Sequence, residues 1–194
     1  MTVARWIRDV HSLNRRGWEL MRDAARADMK AAAIQYGASK ILLQRIMRLR
    51  EQSIETLSKV PVCQFRPVER DEILRYLETK RTIPRTIGAR GLASEEREFH
   101  LHYWHTMRAQ AELDPIEAAM QFAVPVRMMD ALVDASIDEL ETMILGLAPD
   151  YHVVDVQSLE AVAMLIEAEA NKDEVEHLLL CSTTATPLLR DRQS

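Results

Sequence analysis

One long stretch of this chain occurs twice. Laying Trp18-Glu-Leu-Met-Arg22 over Trp104-His-Thr-Met-Arg108 sets an offset of 86 residues, and the register then holds without a gap. Ala32-Ala33-Ile34-Gln35-Tyr36 falls on Ala118-Ala119-Met120-Gln121-Phe122, and Ile54-Glu55-Thr56-Leu57 falls on Leu140-Glu141-Thr142-Met143. Phe65 meets Tyr151 and Val68 meets Val154. Residues 16–77 and 102–163 share 11 identities in 62 positions, and most other pairs exchange one apolar residue for another. Chance rarely sustains an ungapped match of that length, so the chain reads as two copies of one unit. The expected organisation is a basic first repeat over 1–80, a linker over 81–94, an acidic second repeat over 95–181 and a flexible tail over 182–194.

A unit of about 80 residues buries too little surface to be stable alone, so each copy is expected to need the other. Only 5 glycines and 5% aromatics, with Ala, Leu, Met, Arg and Glu filling the periodic stretches, favour helix over strand. The expected fold is all-α, with the two repeats packed as an internal pseudo-dimer and a short extended segment in each. No apolar run approaches the roughly 20 residues that span a bilayer, and the first residues lack the apolar core of a secretory signal. A cytoplasmic protein with no membrane partner is expected. The two cysteines, Cys63 and Cys181, form no disulfide framework or metal spacing.

Charge divides the copies. Residues 1–97 carry 20 Lys+Arg against 12 Asp+Glu, whereas residues 98–194 carry 5 against 18. The basic half would suit nucleic acid and the acidic half protein, or the halves attract each other or a neighbouring chain.

Helical spacing runs from Val3 to Arg26, with Asn14 to Gly17 as a weak point or kink. Asp28 is placed to cap a second helix that Gly37 ends, and Ser39 to cap a third running to Arg50. Ser53 is expected to open a short helix to Lys59, and Val60 to Arg66 to be extended, because Pro61 and Pro67 bar helix. A helix over Glu69–Thr79 completes the copy. The segment 82–92, with two glycines and a proline, reads as the linker. In the second copy Ser94 is placed to cap a helix through Ala111, and Asp114-Pro115 and Pro125 to start the next two. Ser136 and Glu139 have capping-box spacing. Gly146 and Pro149 are expected to end that helix, Tyr151 to Val154 to be extended, and Ser158 to Cys181 to be helical.

A helix ending in Ala33-Ile-Gln-Tyr-Gly37, a turn and a helix from Ser39 have the form of a helix-turn-helix, with Leu43 locking the pair. Lys40, Gln44, Arg45, Arg48 and Arg50 give the second helix of that pair its basic character. Residues 38–50 net +4 while the matching 124–136 nets −1, so only the first copy is suited to phosphate. Arg81, Arg85 and Arg90 of the linker add candidate backbone contacts. The plainer alternative is a solvated basic face that pairs with acidic neighbours. His100, His102 and His105 do not converge on one helix face, and no carboxylate or cysteine completes a metal set with them. No phosphate-binding glycine loop, nucleophile elbow or paired catalytic carboxylates are present, so neither a cofactor nor an enzymatic activity is expected.

Ala33-Ile-Gln-Tyr-Gly37, then Leu42-Leu-Gln-Arg-Ile46, then Ser53-Ile-Glu-Thr-Leu57, then Val62-Cys-Gln-Phe-Arg66 resembles the D subunit of the flagellar master transcription regulator, FlhD. The resemblance covers about residues 12–80 and, in more diverged form, 98–166. It implies a helical, dimerising subunit that joins an FlhC-like partner to activate transcription at promoter DNA, the partner supplying much of the DNA contact and a zinc site. FlhDC-like pairs also serve integrative and conjugative elements, where a double-length D-type chain fits best. Dimerisation in that family implies either an internal pair of repeats or self-association here. The family's cysteine, which can bridge two subunits, corresponds to Cys63. Its counterpart in the second copy is Pro149, so an internal bridge is barred and only an intermolecular disulfide would remain. A scaffold or anti-activator that binds the partner without DNA, and a free-standing helix-turn-helix regulator, are the alternatives.

Overall fold

Among the residues that the computed structural model describes, 3–79, 93–168, 175, 178 and 179, regular structure is nearly all helix. The first half holds α1 (Val3–Ala27), α2 (Met29–Gln35), α3 (Lys40–Arg48), α4 (Glu51–Ser58), β1 (Phe65–Pro67) and α5 (Arg70–Thr79). The second holds α6 (Ser94–Ala111), α7 (Pro115–Phe122), α8 (Val126–Asp134), α9 (Ile137–Leu147), β2 (Tyr151–Val153) and α10 (Val156–Glu167). β1 and β2 pair in a two-stranded sheet. The element order of the first half recurs in the second. Adding 86 to the bounds of α3 and β1 gives those of α8 and β2, and the remaining elements agree within a few residues at their ends.

The caps explain much of this agreement. Asp28 and Asp114 occupy the same extended backbone, φ −152° and −153°, and each carboxylate accepts from the backbone N–H groups two and three residues on. Those orphan donors would otherwise be left unpaired at the helix start. Ser39 Oγ accepts from Leu42 N, and Ser136 and Glu139 close a reciprocal capping box. Several boundaries differ from the sequence pattern. α4 begins at Glu51 rather than Ser53, because the extended residue Arg50 already turns the chain. α6 has Ser94 as its first residue, with Glu96 reaching back to the Ala93 N–H. Gly146 lies inside α9, which ends when Ala148 adopts a left-handed φ of 41°. α10 starts at Val156 with Asp155 as its cap. Residues 81–92 of the expected linker and the tail beyond Cys181 lie outside the described residues, while Ala93 and Ser94 already belong to the start of α6.

The compact units are composed differently from the sequence repeats. Unit 1 takes residues up to Phe65 and from Tyr151 on, and unit 2 takes Arg66–Asp150. The last helix of each repeat therefore packs with the other repeat's helices: α10 lies on α3 and α4 in unit 1, and α5 lies on α8 and α9 in unit 2.

In unit 1, α1 packs against α2, α3 and α4. Val10, Leu13, Trp18 and Met21 of α1 are fully buried with Leu42, Leu43, Ile46, Ile54, Leu57 and Phe65. α1 runs unbroken through Asn14–Gly17, where a kink was expected. Asn14 is not a weak point because its amide is fully engaged: Nδ2 donates to Val62 O (2.9 Å) and Oδ1 accepts from Gln64 N (2.8 Å). Gln64 in turn accepts from Trp18 Nε1 (2.7 Å) and donates to Leu57 O (3.1 Å). Buried amides left unpaired would each cost about 1–3 kcal/mol, so this closed network holds residues 57–64 on α1. Gly17 is required for room. A Cβ there would lie 2.4–2.8 Å from three atoms of the Phe65 ring, which stacks edge-on to Trp18 at 5.0 Å.

In unit 2, α6 packs on α7, α8 and α9. Phe99, Tyr103, Trp104 and Met107 meet Phe122, Met128, Met129, Leu132, Leu140, Met143 and Ile144 in the core, with Tyr103 edge-on to Phe122 at 5.4 Å. The positions matching the unit 1 amide network are His100, Trp104 and Asp150. Trp104 Nε1, unlike Trp18 Nε1, has no hydrogen-bond partner among the described residues.

Two substitutions test this packing. Gly17→Ala gains about 1 kcal/mol of helix propensity but forces a methyl into the Phe65 ring, an overpacking cost of about 1–3 kcal/mol. A net loss of stability in chemical denaturation is expected, and a stabilised variant would contradict the close approach. Ala123 holds φ 52°, where the matching Gly37 holds 56°. Relief of the left-handed strain, less the added freedom of the unfolded chain, makes Ala123→Gly stabilising by about 0.5–1 kcal/mol, read as a higher denaturation midpoint.

Candidate nucleic-acid interface

The basic residues of the first copy are carried by α3 and the turn that follows it. Ser39 starts the helix, and Gly37, at φ 56°, turns the chain between α2 and α3. With Leu42, Leu43 and Ile46 locked in the core, the opposite side of α3 must face outward. Lys40, Gln44 and Arg48 follow one another at one-turn spacing, so they form a single stripe. Lys40 and Arg48 are exposed and Gln44 is half-buried.

Arg45 leaves this stripe. Its Nη1 lies 2.6 Å from Glu167 Oε2 of α10, and Arg48 Nη1 lies 3.7 Å from the other oxygen of that carboxylate. Ser39 Oγ also hydrogen-bonds to Glu160, two turns earlier on α10. α10 thus contributes a carboxylate at each end of α3. The plainer expectation, a basic face answered by acidic neighbours, therefore applies to Arg45 and in part to Arg48. These are partly exposed pairs, each worth at most about 1 kcal/mol. Arg50, exposed, sits at the start of α4 without a side-chain capping bond. Glu160 and Glu167 could have been noticed as two carboxylates on one face of an otherwise uncharged helix. Their partner could not, because α10 belongs to the other repeat.

Arg81, Arg85 and Arg90 lie outside the described residues. In the second copy, the position of Arg45 is Ala131 and that of Arg48 is Asp134, while Arg127 is drawn to Glu78 at 2.5 Å. Nothing on α8 reproduces the basic stripe.

Cys63 is buried within unit 1. An intermolecular disulfide at this position requires residues 60–65 to open, which means breaking the Asn14–Gln64 network. The three histidines separate as their spacing implies: His100 is buried, His102 is exposed, and His105 Nε2 stands 3.8 Å from Glu141 Oε1. Among the described residues no three His, Cys, Asp or Glu side chains gather as metal ligands, and no helix is long and apolar enough to cross a membrane.

The chain matches no protein-family model, no curated protein and no solved structure.

His100 supplies a pH test of unit 2. Burial lowers its pKa from 6.5 to about 4, because the imidazolium loses its hydration there. The unfolded chain then takes up the proton first as pH falls. Stability should be undiminished above about pH 6.5 and decline toward pH 4, by up to about 3 kcal/mol at the lower end. Denaturation midpoints of the parent and of His100→Gln, compared across that range, should show a shallower pH slope in the variant.

Proposed function

We propose that the chain is a non-enzymatic subunit of an FlhDC-like transcription activator, with its two repeats acting as the internal counterpart of an FlhD dimer and an FlhC-like protein as its partner at promoter DNA. An integrative or conjugative element is the setting that a double-length subunit suits best. The observation that carries the reading is the element-for-element recurrence of one helical plan with divergent surfaces, one basic and one acidic. The motif resemblance over residues 12–80 supplies the regulator class. On this reading the first repeat offers phosphate contacts through Lys40, Arg48 and Arg50, with Arg45 released only if Glu167 is displaced. The second repeat serves protein contacts.

A scaffold or anti-activator role is the second reading. It is favoured by the neutralisation of Arg45 by Glu167 and by the exposed apolar side chains of α7.

Reconstitution with a co-expressed FlhC-like subunit tests the first reading. Binding of the complex to its promoter should weaken when Lys40, Arg45, Arg48 and Arg50 are neutralised together. The plot of log affinity against log salt should become shallower by about 1 for every side chain among them that had neutralised a phosphate. Unchanged affinity and slope remove the DNA role. Partner binding without promoter occupancy identifies a scaffold, and DNA binding by the purified chain alone identifies a free-standing regulator.

A further inference from the structure

The matched segments 28–50 and 114–136 have the same backbone plan and opposite surfaces. The first contains five basic residues and one acidic, and the second four acidic and one basic. In the segment 114–136 the one cation, Arg127, is held by Glu78, so Glu117, Asp130 and Asp134 keep their charge uncompensated by it. In unit 1 Glu167 occupies Arg45, while Lys30, Lys40 and Arg50 have no ion-pair partner among the described residues.

Both faces also carry large apolar side chains in water. Ile34 is 72% exposed and Ile41 55% on α2 and α3, and Ile116 is 62% and Met120 51% exposed on α7. Ile116 and Met120 lie one turn apart on the side of α7 away from Ala118, Ala119 and Phe122, which are buried. α7 is therefore apolar on its outer side as well as its inner one, the pattern of a helix that is covered on both. Ile34 and Met120 hold the same register position in the two copies. Apolar residues rimmed by charge of one sign mark a protein contact surface, and here each face supplies the charge that the other lacks.

We infer that the partner for each face is a second copy of this chain. The α2–α3 face of unit 1 in one molecule docks on the α7–α8 face of unit 2 in another. Ile34 and Ile41 cover Ile116 and Met120, while Lys30, Lys40 and Arg50 meet Glu117, Asp130 and Asp134. Because the apposed helices are counterparts, the contact has an approximate local two-fold axis. Because the two faces are chemically unlike, it is head to tail, and each molecule keeps one face of each kind for further association into rings or open chains. This inference goes beyond the proposed function, and its test contains neither DNA nor an FlhC-like subunit.

Sedimentation velocity of the full chain, over about 1–100 µM, should show mass rising with concentration at ~50 mM salt and falling back at ~0.5 M, as screening removes the charge contribution. Ile34→Glu puts an anion on the face that meets acidic residues, and Met120→Lys puts a cation on the face that meets basic ones. Both sites are exposed, so circular dichroism should be unchanged. Each variant alone should associate at least tenfold more weakly than the parent, and mixing the two should restore association, since each retains the face that is disabled in the other. A parent that stays monomeric throughout overturns the inference. So does a variant that assembles like the parent, which indicates pairing between like faces, or a mixture that fails to recover.

Discussion

The structure depends on the small buried network in which the Asn14 side chain accepts from the Gln64 backbone N–H and donates to Val62 O, while the Gln64 side chain accepts from Trp18 and donates to Leu57 O. It lies where the chain leaves unit 1, one residue before Phe65, whose ring occupies the space that Gly17 leaves open. The returning chain is tied to the same place, because Val154 N donates to Gln64 O and Val153 N donates to Tyr36 O. With departure and return both anchored, α10 is delivered onto α3 and α4 although it belongs to the second repeat. An apolar set of the same shape would fill the volume, but without directional bonds it would leave the strand free to slide along α1. The amides fix its register.

That exchange of terminal helices gives the charge asymmetry a structural meaning. The acidic half does not answer the basic half as a bulk property; it does so at particular residues, Glu167 on Arg45 and Glu160 on Ser39. The second repeat reuses the same caps and helix lengths while replacing the basic side chains of α3 with Ala131 and Asp134. The matched core positions, such as Trp18 and Trp104 or Leu42 and Met128, are fully buried in both halves and separate from the surface positions at which the halves differ. The cost of divergence shows where a local rule is broken. Ala123 holds a left-handed conformation in place of glycine, and Trp104 Nε1 is buried without the acceptor that Trp18 finds in Gln64.

Much of the secondary structure was legible because its causes are local. Asp28, Asp114, Ser39 and Ser136 each cap the helix that follows within a few residues, and a carboxylate or hydroxyl beside free N–H groups needs no tertiary help. Gly17 and Gly146 misled for a shared reason. Glycine weakens a helix in isolation, yet Gly17 is there to admit the Phe65 ring, a residue 48 positions away, and Gly146 is carried within a helix whose end is set two residues later. The basic stripe was legible as composition, but which of its members remain available was not.

From its amino acids alone, this chain determined an all-helical architecture, two copies of one element order and the opposite charges they carry, because periodicity, capping and charge are properties of neighbouring residues. Only the tertiary structure decided which helices complete which core, that Asn14 and Gln64 close on each other, and that Arg45 turns to Glu167 while Lys40 stays in water. Those outcomes rest on pairings between residues 50 to more than 120 positions apart, such as Asn14 with Gln64 and Arg45 with Glu167. No local pattern encodes which of several compatible surfaces the chain brings together at that range, since the choice is made by packing and by the pairing of buried polar groups.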